Sequence, residues 1–251
     1  MRREYDYRAS CLKRIDLDED EVDVQYSGHR PQVGDVIAVK ITDVNDTYRD
    51  LDLEGGELVE LEEGDIVLGT FGNRAGVKGY IGEVPDKVEE GDELSFLGSG
   101  GLFGDYKSSA KELEVPCSAE FIGYVKNGEE VLNMKDHGIE TSEEIEVDAN
   151  LVAVVASRMD AGKTTLATKL IEGLSENHSV GSLKFTGSAR ERDRLNMYDA
   201  GSEISMDFVD AGLPSTVEDP EEVISSAKGL VNYAWKEEDL DFIIVEFGAG
   251  M

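Results

Sequence analysis

The chain has 251 residues, with 55 acidic against 24 basic side chains and a formal net charge of −31. That excess argues against a nucleic-acid or anionic-membrane partner, and the absence of any apolar run of about 18 residues argues against a membrane span. Cys11 and Cys117 make no disulfide framework, and the scattered His29, His137 and His178 make no metal cluster. The length allows one or two domains with a real core. The acid is spread along the chain rather than gathered in a tail, as in proteins adapted to the high cytoplasmic salt of halophilic archaea. The start, Met-Arg-Arg-Glu-Tyr-Asp-Tyr-Arg, has no apolar signal region, so a cytoplasmic location is expected.

Residues 1–148 read as mostly β. Val22, Val24 and Tyr26 alternate with polar residues, and Ile37, Val39 and Ile41 share one face of a run over 36–41. Stretches 66–71, 77–81 and 94–97 are further short strands. Strands at 120–126 and 129–134 flank Asn127-Gly128, the strongest hairpin signal in the chain. Gly-Asp precedes strands at Gly34-Asp35, Gly64-Asp65 and Gly91-Asp92. Either a β-unit is duplicated or Gly-Asp is a common turn entering a strand, and the turn is the simpler account. Short strands with turns at this spacing predict a small all-β barrel or sandwich domain. Gly98-Ser-Gly-Gly-Leu-Phe-Gly104 has no Lys-Thr behind it and reads as a mobile loop. Arg74 and Lys78 read as solvated charges within reach of a ligand. The acidic stretch Glu140–Asp148 is placed as the linker.

Residues 149–251 alternate strand and helix, which predicts an α/β domain with a parallel sheet and ligands at the carboxyl ends of its strands. Leu151–Ala156 is a continuous apolar run, the pattern of a strand buried on both faces. A turn follows, then Gly162-Lys163-Thr164-Thr165, then a helix with Leu166, Leu170, Ile171 and Leu174 at helical spacing. Strand, turn, Gly-Lys-Thr and helix are the context of a phosphate-binding loop running from Ser157 through Ala161 to Thr165. Backbone N–H groups there face anionic oxygens. Gly162 allows close backbone approach, Lys163 reaches the β- and γ-phosphates, and the Thr164 hydroxyl sits on Mg²⁺. Ser157 stands where the motif has its first glycine. Strands are also read at 179–185, 205–210 and 241–246. A helix over 220–235 carries Val223, Ile224, Ala227, Leu230, Val231 and Ala234.

Two more strand ends carry chemistry. Lys184, Arg190, Arg192 and Arg194 put four basic side chains within residues 184–194 of a very acidic chain. They point to a site for a carboxylate or phosphate of the substrate; the alternative is pairing with Glu191, Asp193 and Asp199 on an exposed helix. Glu246 ends a buried strand, where an acid is costly without a partner. It would hold Mg²⁺, directly or through water, or polarise an attacking water.

On these residues a family resemblance is visible. Ser157-Arg-Met-Asp-Ala-Gly-Lys-Thr-Thr165 resembles the nucleotide loop of dethiobiotin synthetases, with Asp160 at the place of their acid two residues before Gly-Lys-Thr. Lys184 resembles the lysine those enzymes place near substrate. Val245-Glu-Phe-Gly-Ala-Gly250 is similar to their Val-Glu-Gly-Ala-Gly-Gly segment, with one residue more after the glutamate. The same P-loop subclass includes cobyrinic acid synthases and molybdopterin-guanine dinucleotide adaptor proteins. The resemblance covers 149–251 and does not reach 1–148 or the Arg190–Arg194 stretch. Domains of this subclass usually continue with further strands, so the nucleotide domain is expected to be incomplete.

The expectation is an ATP- and Mg²⁺-dependent protein that phosphorylates or ligates a small carboxylate-bearing substrate. Asp160 would orient the nucleophile or the lysine, Lys163 and Mg²⁺ would neutralise the γ-phosphate, and Lys184 with the arginines would hold the acceptor. A second reading is a nucleotide-dependent switch or adaptor, with residues 1–148 docking a partner enzyme; a third is a binding protein with an inactive nucleotide domain. No Asn-Lys-x-Asp base-recognition motif decides ATP against GTP, and homo-oligomerisation stays open.

Overall fold

The computed structural model describes residues 1–17, 21–26, 28–76, 79–157, 161–187 and 189–248. The chain groups into two units, Met1–His137 with Ser188–Arg190, and Gly138–Gly187 with Glu191–Met251.

The strands described in the first unit are β1 (Arg2–Glu4), β2 (Tyr7–Arg8), β3 (Glu21–Gln25), β4 (Val36–Asp43), β5 (Asp50–Asp52), β6 (Leu58–Glu60), β7 (Ile66–Phe71), β8 (Arg74–Ala75), β9 (Tyr80–Glu83), β10 (Glu93–Gly98), β11 (Leu102–Ser109), β12 (Ser118–Asn127) and β13 (Glu130–Val131). Eleven of them form one sheet with the path β1-β3-β12-β4-β7-β11-β9-β8; β10 pairs with β11 and β12, β13 with β12, and β2 with β7. The sheet is mixed, because β7 runs parallel to both β2 and β11. β4 is an interior strand paired with β12 and β7, and its run Val36–Val39 is fully buried. Phe71, Phe121 and Tyr124 pack ring against ring at 5.0–6.1 Å.

The three Gly-Asp pairs are one turn used three times. Asp35, Asp65 and Asp92 each accept the N–H three residues back, from Gln32, Glu62 and Glu89, all at 2.8 Å. Gly34, Gly64 and Gly91 have φ of +87°, +103° and +90°, the left-handed region that glycine enters without strain. In each, a carboxylate caps the tight turn that leads into a strand, β4, β7 and β10. The expected mobile loop over 98–104 is a buried turn between β10 and β11. Ser99, Gly100 and Gly101 carbonyls accept from Asp52, Cys11 and Thr70 N–H at 2.7, 3.1 and 2.9 Å. Glycine serves there as room for other backbones, since a Cβ on Gly101 would lie 2.1 Å from Ala9 Cβ.

The second unit contains β14 (Asn150–Val154), α1 (Lys163–Leu174), β15 (Val180–Lys184), α2 (Arg192–Asp199), β16 (Ile204–Asp207), α3 (Pro220–Glu238) and β17 (Phe242–Glu246). The four strands pair in parallel in the order β14-β17-β15-β16. Alternate residues face opposite layers. Val154, Val180 and Ile244 pack with Ala167 and Ile171 of α1 and Met197 of α2. Leu183, Met206, Ile243 and Val245 pack with Leu230, Val231 and Ala234 of α3. Asp219 starts α3 by accepting from Glu221 N–H at 2.8 Å, with Pro220 at the first helical position. The stretch 140–148, expected to be a linker, packs along α3. Ser142 N–H donates to Ser225 O, Glu146 N–H to Asn232 Oδ1 and Lys228 Nζ to Glu143 O, at 3.0, 2.8 and 2.6 Å.

The expected class, a parallel-sheet P-loop domain preceded by a small β barrel or sandwich, is corrected by this architecture. The structure is 36% strand and 21% helix, with three α-helices among the described residues, and its dominant feature is the large mixed sheet. Side-chain alternation marks where strands lie, but the parallel pairing of β7 with β2 and β11 joins segments far apart in sequence, and no local pattern encodes it. The second correction concerns β14. Its apolar run predicts a strand covered on both faces, yet β14 is the edge of its sheet, with Leu151 43% and the following Val155 68% exposed. Apolarity records what a strand can bury, not which neighbours it has.

Candidate functional site at the carboxyl ends of the parallel strands

Pairing in the second unit puts four residues in one row. Val154 stands beside Glu246, Glu246 beside Lys184, and Lys184 beside Asp207. Registered neighbours in a sheet project to the same face. Val154 faces α1 and α2, so Glu246 and Lys184 project to that side too. This is also the side where α1 begins.

Gly162 precedes helix α1 with a φ of +83°, in the left-handed region, and among the described residues no side chain caps the helix. Gly162 O accepts the Leu166 N–H at 2.9 Å, closing the first turn. The N–H groups of a first turn have no partner inside their own helix, and the dipole favours an anion beside them. Lys163 and Thr164 are half-buried in this turn, while Ala161, Gly162 and Thr165 are exposed, as is Ser157 at the other end of the loop. Asp160, expected in the same loop, lies outside the described residues, with Arg158 and Met159.

Thr164 Oγ1 donates to Glu246 Oε1 at 3.1 Å, joining the start of α1 to the end of β17. Glu246 is 4% exposed, and its other oxygen, Oε2, is buried with no hydrogen-bond partner among the described residues. Burial raises the Glu246 pKa above the ordinary carboxylate value; Asp193 pushes the same way, while the Thr164 hydrogen bond and the charges of Lys184 and Lys163 oppose the shift. A buried carboxylate oxygen without a donor is expensive. A metal ion or a metal-bound water would remove that cost.

The basic residues do not converge as a free cluster. Lys184, 9% exposed, forms an ion pair with Asp193 of α2. Arg194 bonds Glu191 at 2.7 Å and Ser205 O at 3.3 Å. Arg192 is exposed, and Arg190 groups with the first unit. In the first unit, Arg74 is half-buried rather than solvated. It bonds Tyr48 Oη at 2.9 Å and the Leu97 carbonyl, and lies over the Tyr48 and Tyr80 rings. Lys78 lies outside the described residues.

Two participants are not evident from the sequence motifs. Asp207 completes the strand-end row and caps the turn after β16 by accepting Val209 N–H at 3.0 Å. Thr186 Oγ1 accepts the Gly248 N–H, tying the loop after β15 to the loop after β17. Their position at strand ends was the available signal. Among the described residues no group of three or more His, Cys, Asp or Glu is placed to hold a metal ion. Nor is any helix long and apolar enough to cross a membrane. No family model matches the chain, and no curated protein does.

Proposed function

We propose that the second unit binds Mg-ATP through the turn Ala161–Thr165 and transfers its γ-phosphoryl group to, or ligates, a small carboxylate-bearing substrate. The observation that carries this reading is the Thr164–Glu246 hydrogen bond at 3.1 Å, with Glu246 Oε2 buried beside it and unpartnered among the described residues. A hydroxyl and a carboxylate at the foot of a helix are hard oxygen donors. Mg²⁺ takes one or two of these from protein and the rest from phosphate and water. Thr164 and Glu246 would hold the ion, which would neutralise developing phosphate charge. Lys163 would bind the β- and γ-oxygens, and the α1 N–H groups would receive the β-phosphate. The resemblance of 157–165 and 245–250 to dethiobiotin synthetases supports the same reading.

A switch or adaptor is the second reading. It is favoured by the pairing of Lys184 and Arg194 with Asp193 and Glu191, which leaves these two cations engaged within the unit. Calorimetric titration of Mg-ATP in molar KCl tests both readings, with Lys163→Ala as control. Binding that needs both Mg²⁺ and Lys163 is expected. A folded wild type that takes up no nucleotide would refute the phosphate site. Turnover stimulated by small carboxylates selects the enzyme, and unstimulated slow hydrolysis selects the switch.

A further inference from the structure

We propose that Asp193 is a built-in counter-anion that occupies Lys184 until a bound polyphosphate takes its place, so that Asp193 sets nucleotide affinity. The inference rests on the phosphate-binding reading above and adds a control to it.

Lys184 ends β15 directly beside Glu246 of β17. Neighbouring strands lie about 4.8 Å apart, and Glu246 is itself bonded to Thr164 in the first turn of α1. An extended lysine side chain spans that gap, so phosphate oxygens held at the start of α1 lie within reach of Lys184 Nζ. Two carboxylates, Glu246 and Asp193, thus compete for the field of one ammonium.

They are not equivalent. Glu246 is almost fully buried and tied to Thr164, whereas the Asp193 side chain is 33% exposed in the first turn of a helix of eight residues. Asp193 is the partner that water can receive. Arg194 meanwhile ties α2 to β16, its guanidinium donating to the Ser205 carbonyl and its own carbonyl accepting from Ser205 Oγ, so Asp193 can turn outward without detaching the helix. An incoming triphosphate carries more negative charge than one carboxylate and wins the ammonium. The energy of the Lys184–Asp193 pair is then subtracted from the energy of binding, as for any ligand that must first displace a resident contact.

The test is titration of the whole chain with Mg²⁺ and adenylyl imidodiphosphate in molar KCl. The variants are Asp193→Asn, Asp193→Glu, Lys184→Met and the double variant Lys184→Met/Asp193→Asn. Asp193→Asn is expected to bind about tenfold tighter, equivalent to about 1.4 kcal/mol, and Asp193→Glu to stay near wild type. The gain is expected to vanish in the Lys184→Met background. Asp193→Ser supplies a second neutral variant should the asparagine form not fold, and Trp235 fluorescence reports folding of either. Binding that is unchanged or weaker in the neutral variants overturns the inference while leaving the phosphate site standing. A gain that persists without Lys184 overturns it as well, because it would reflect general loss of negative charge. A wild type that does not bind refutes the phosphate site, and the counter-anion role with it.

Discussion

Replacing Thr164 by valine keeps the β-branched shape and removes the one described donor to Glu246 Oε1. Oε2 has no partner among the described residues, so the variant leaves a buried carboxylate with neither oxygen bonded to any of them. A hydrogen bond to a charged group contributes roughly 1.5–3 kcal/mol, and Thr164 is half-buried, so a loss of about 1.5–2 kcal/mol is expected at neutral pH. The pH dependence has a definite sign. Burial has raised the Glu246 pKa, and the Thr164 hydroxyl pulls it back by favouring the charged form. Valine releases that pull, so Glu246 titrates higher still. A carboxyl whose folded pKa lies above its unfolded value adds stability below the unfolded value and loses it as pH rises through the folded one. The cost of Thr164→Val should therefore be largest at neutral pH. It should shrink toward the roughly 0.5–1.5 kcal/mol of a neutral hydrogen bond under acid conditions where Glu246 is protonated. Urea denaturation followed through Trp235, the single tryptophan, reads the second unit because that residue lies in α3. In a Glu246→Gln background, Thr164→Val should cost only the neutral amount, leaving a coupling of about 1 kcal/mol between the two positions. Thr164→Ser should retain most of the stability. A loss independent of pH, or the same loss with Gln at 246, would refute the charged hydrogen bond as its cause.

Mg²⁺ affinity should fall on acidification at a higher pH than an ordinary carboxylate would dictate, because the metal needs ionised Glu246 and burial raises its pKa; calorimetry across pH reads the midpoint. Gly229→Ala in α3 should destabilise despite a helix-propensity gain of about 1 kcal/mol. The new Cβ would lie 2.1 Å from Glu140 O, and a rise in melting temperature would show that the stretch after His137 yields easily. Asp35→Ala should cost about 3 kcal/mol, since it strips partners from Gln32 N–H, Asn133 Nδ2 and His29 Nε2; loss of the β signal in circular dichroism at lower urea checks this.

Local chemistry was legible along the chain. The strands around residues 36–41, 66–71 and 120–126, the Asn127-Gly128 hairpin and the helix α3 follow from alternation, turn residues and an apolar stripe at helical spacing. So did the placement of Thr164 and Glu246 at the ends of their elements, though not the bond between them. Other features were not legible. The glycines of 98–104 looked like freedom and are instead room for packed backbone, because glycine composition is the same in a loose loop and in a crowded turn. Lys184 and the arginines left two readings open, an anion site or pairing with nearby acids, and Lys184 and Arg194 are found paired with Asp193 and Glu191. Which of two charge partners a side chain takes depends on helix direction and strand register.

The sequence by itself determined that residues 149–251 alternate strand with helix, that a Gly-Lys-Thr turn opens one helix and that a later strand ends in glutamate. Only the tertiary structure decided that β14 sits at a sheet edge, that β7 runs parallel to β2 and β11, and that Thr164 meets Glu246 while Asp193 meets Lys184. The reason is range. Backbone propensity and side-chain periodicity act over a few residues and mark elements, whereas pairing order and charge partners arise from contacts between segments tens of residues apart.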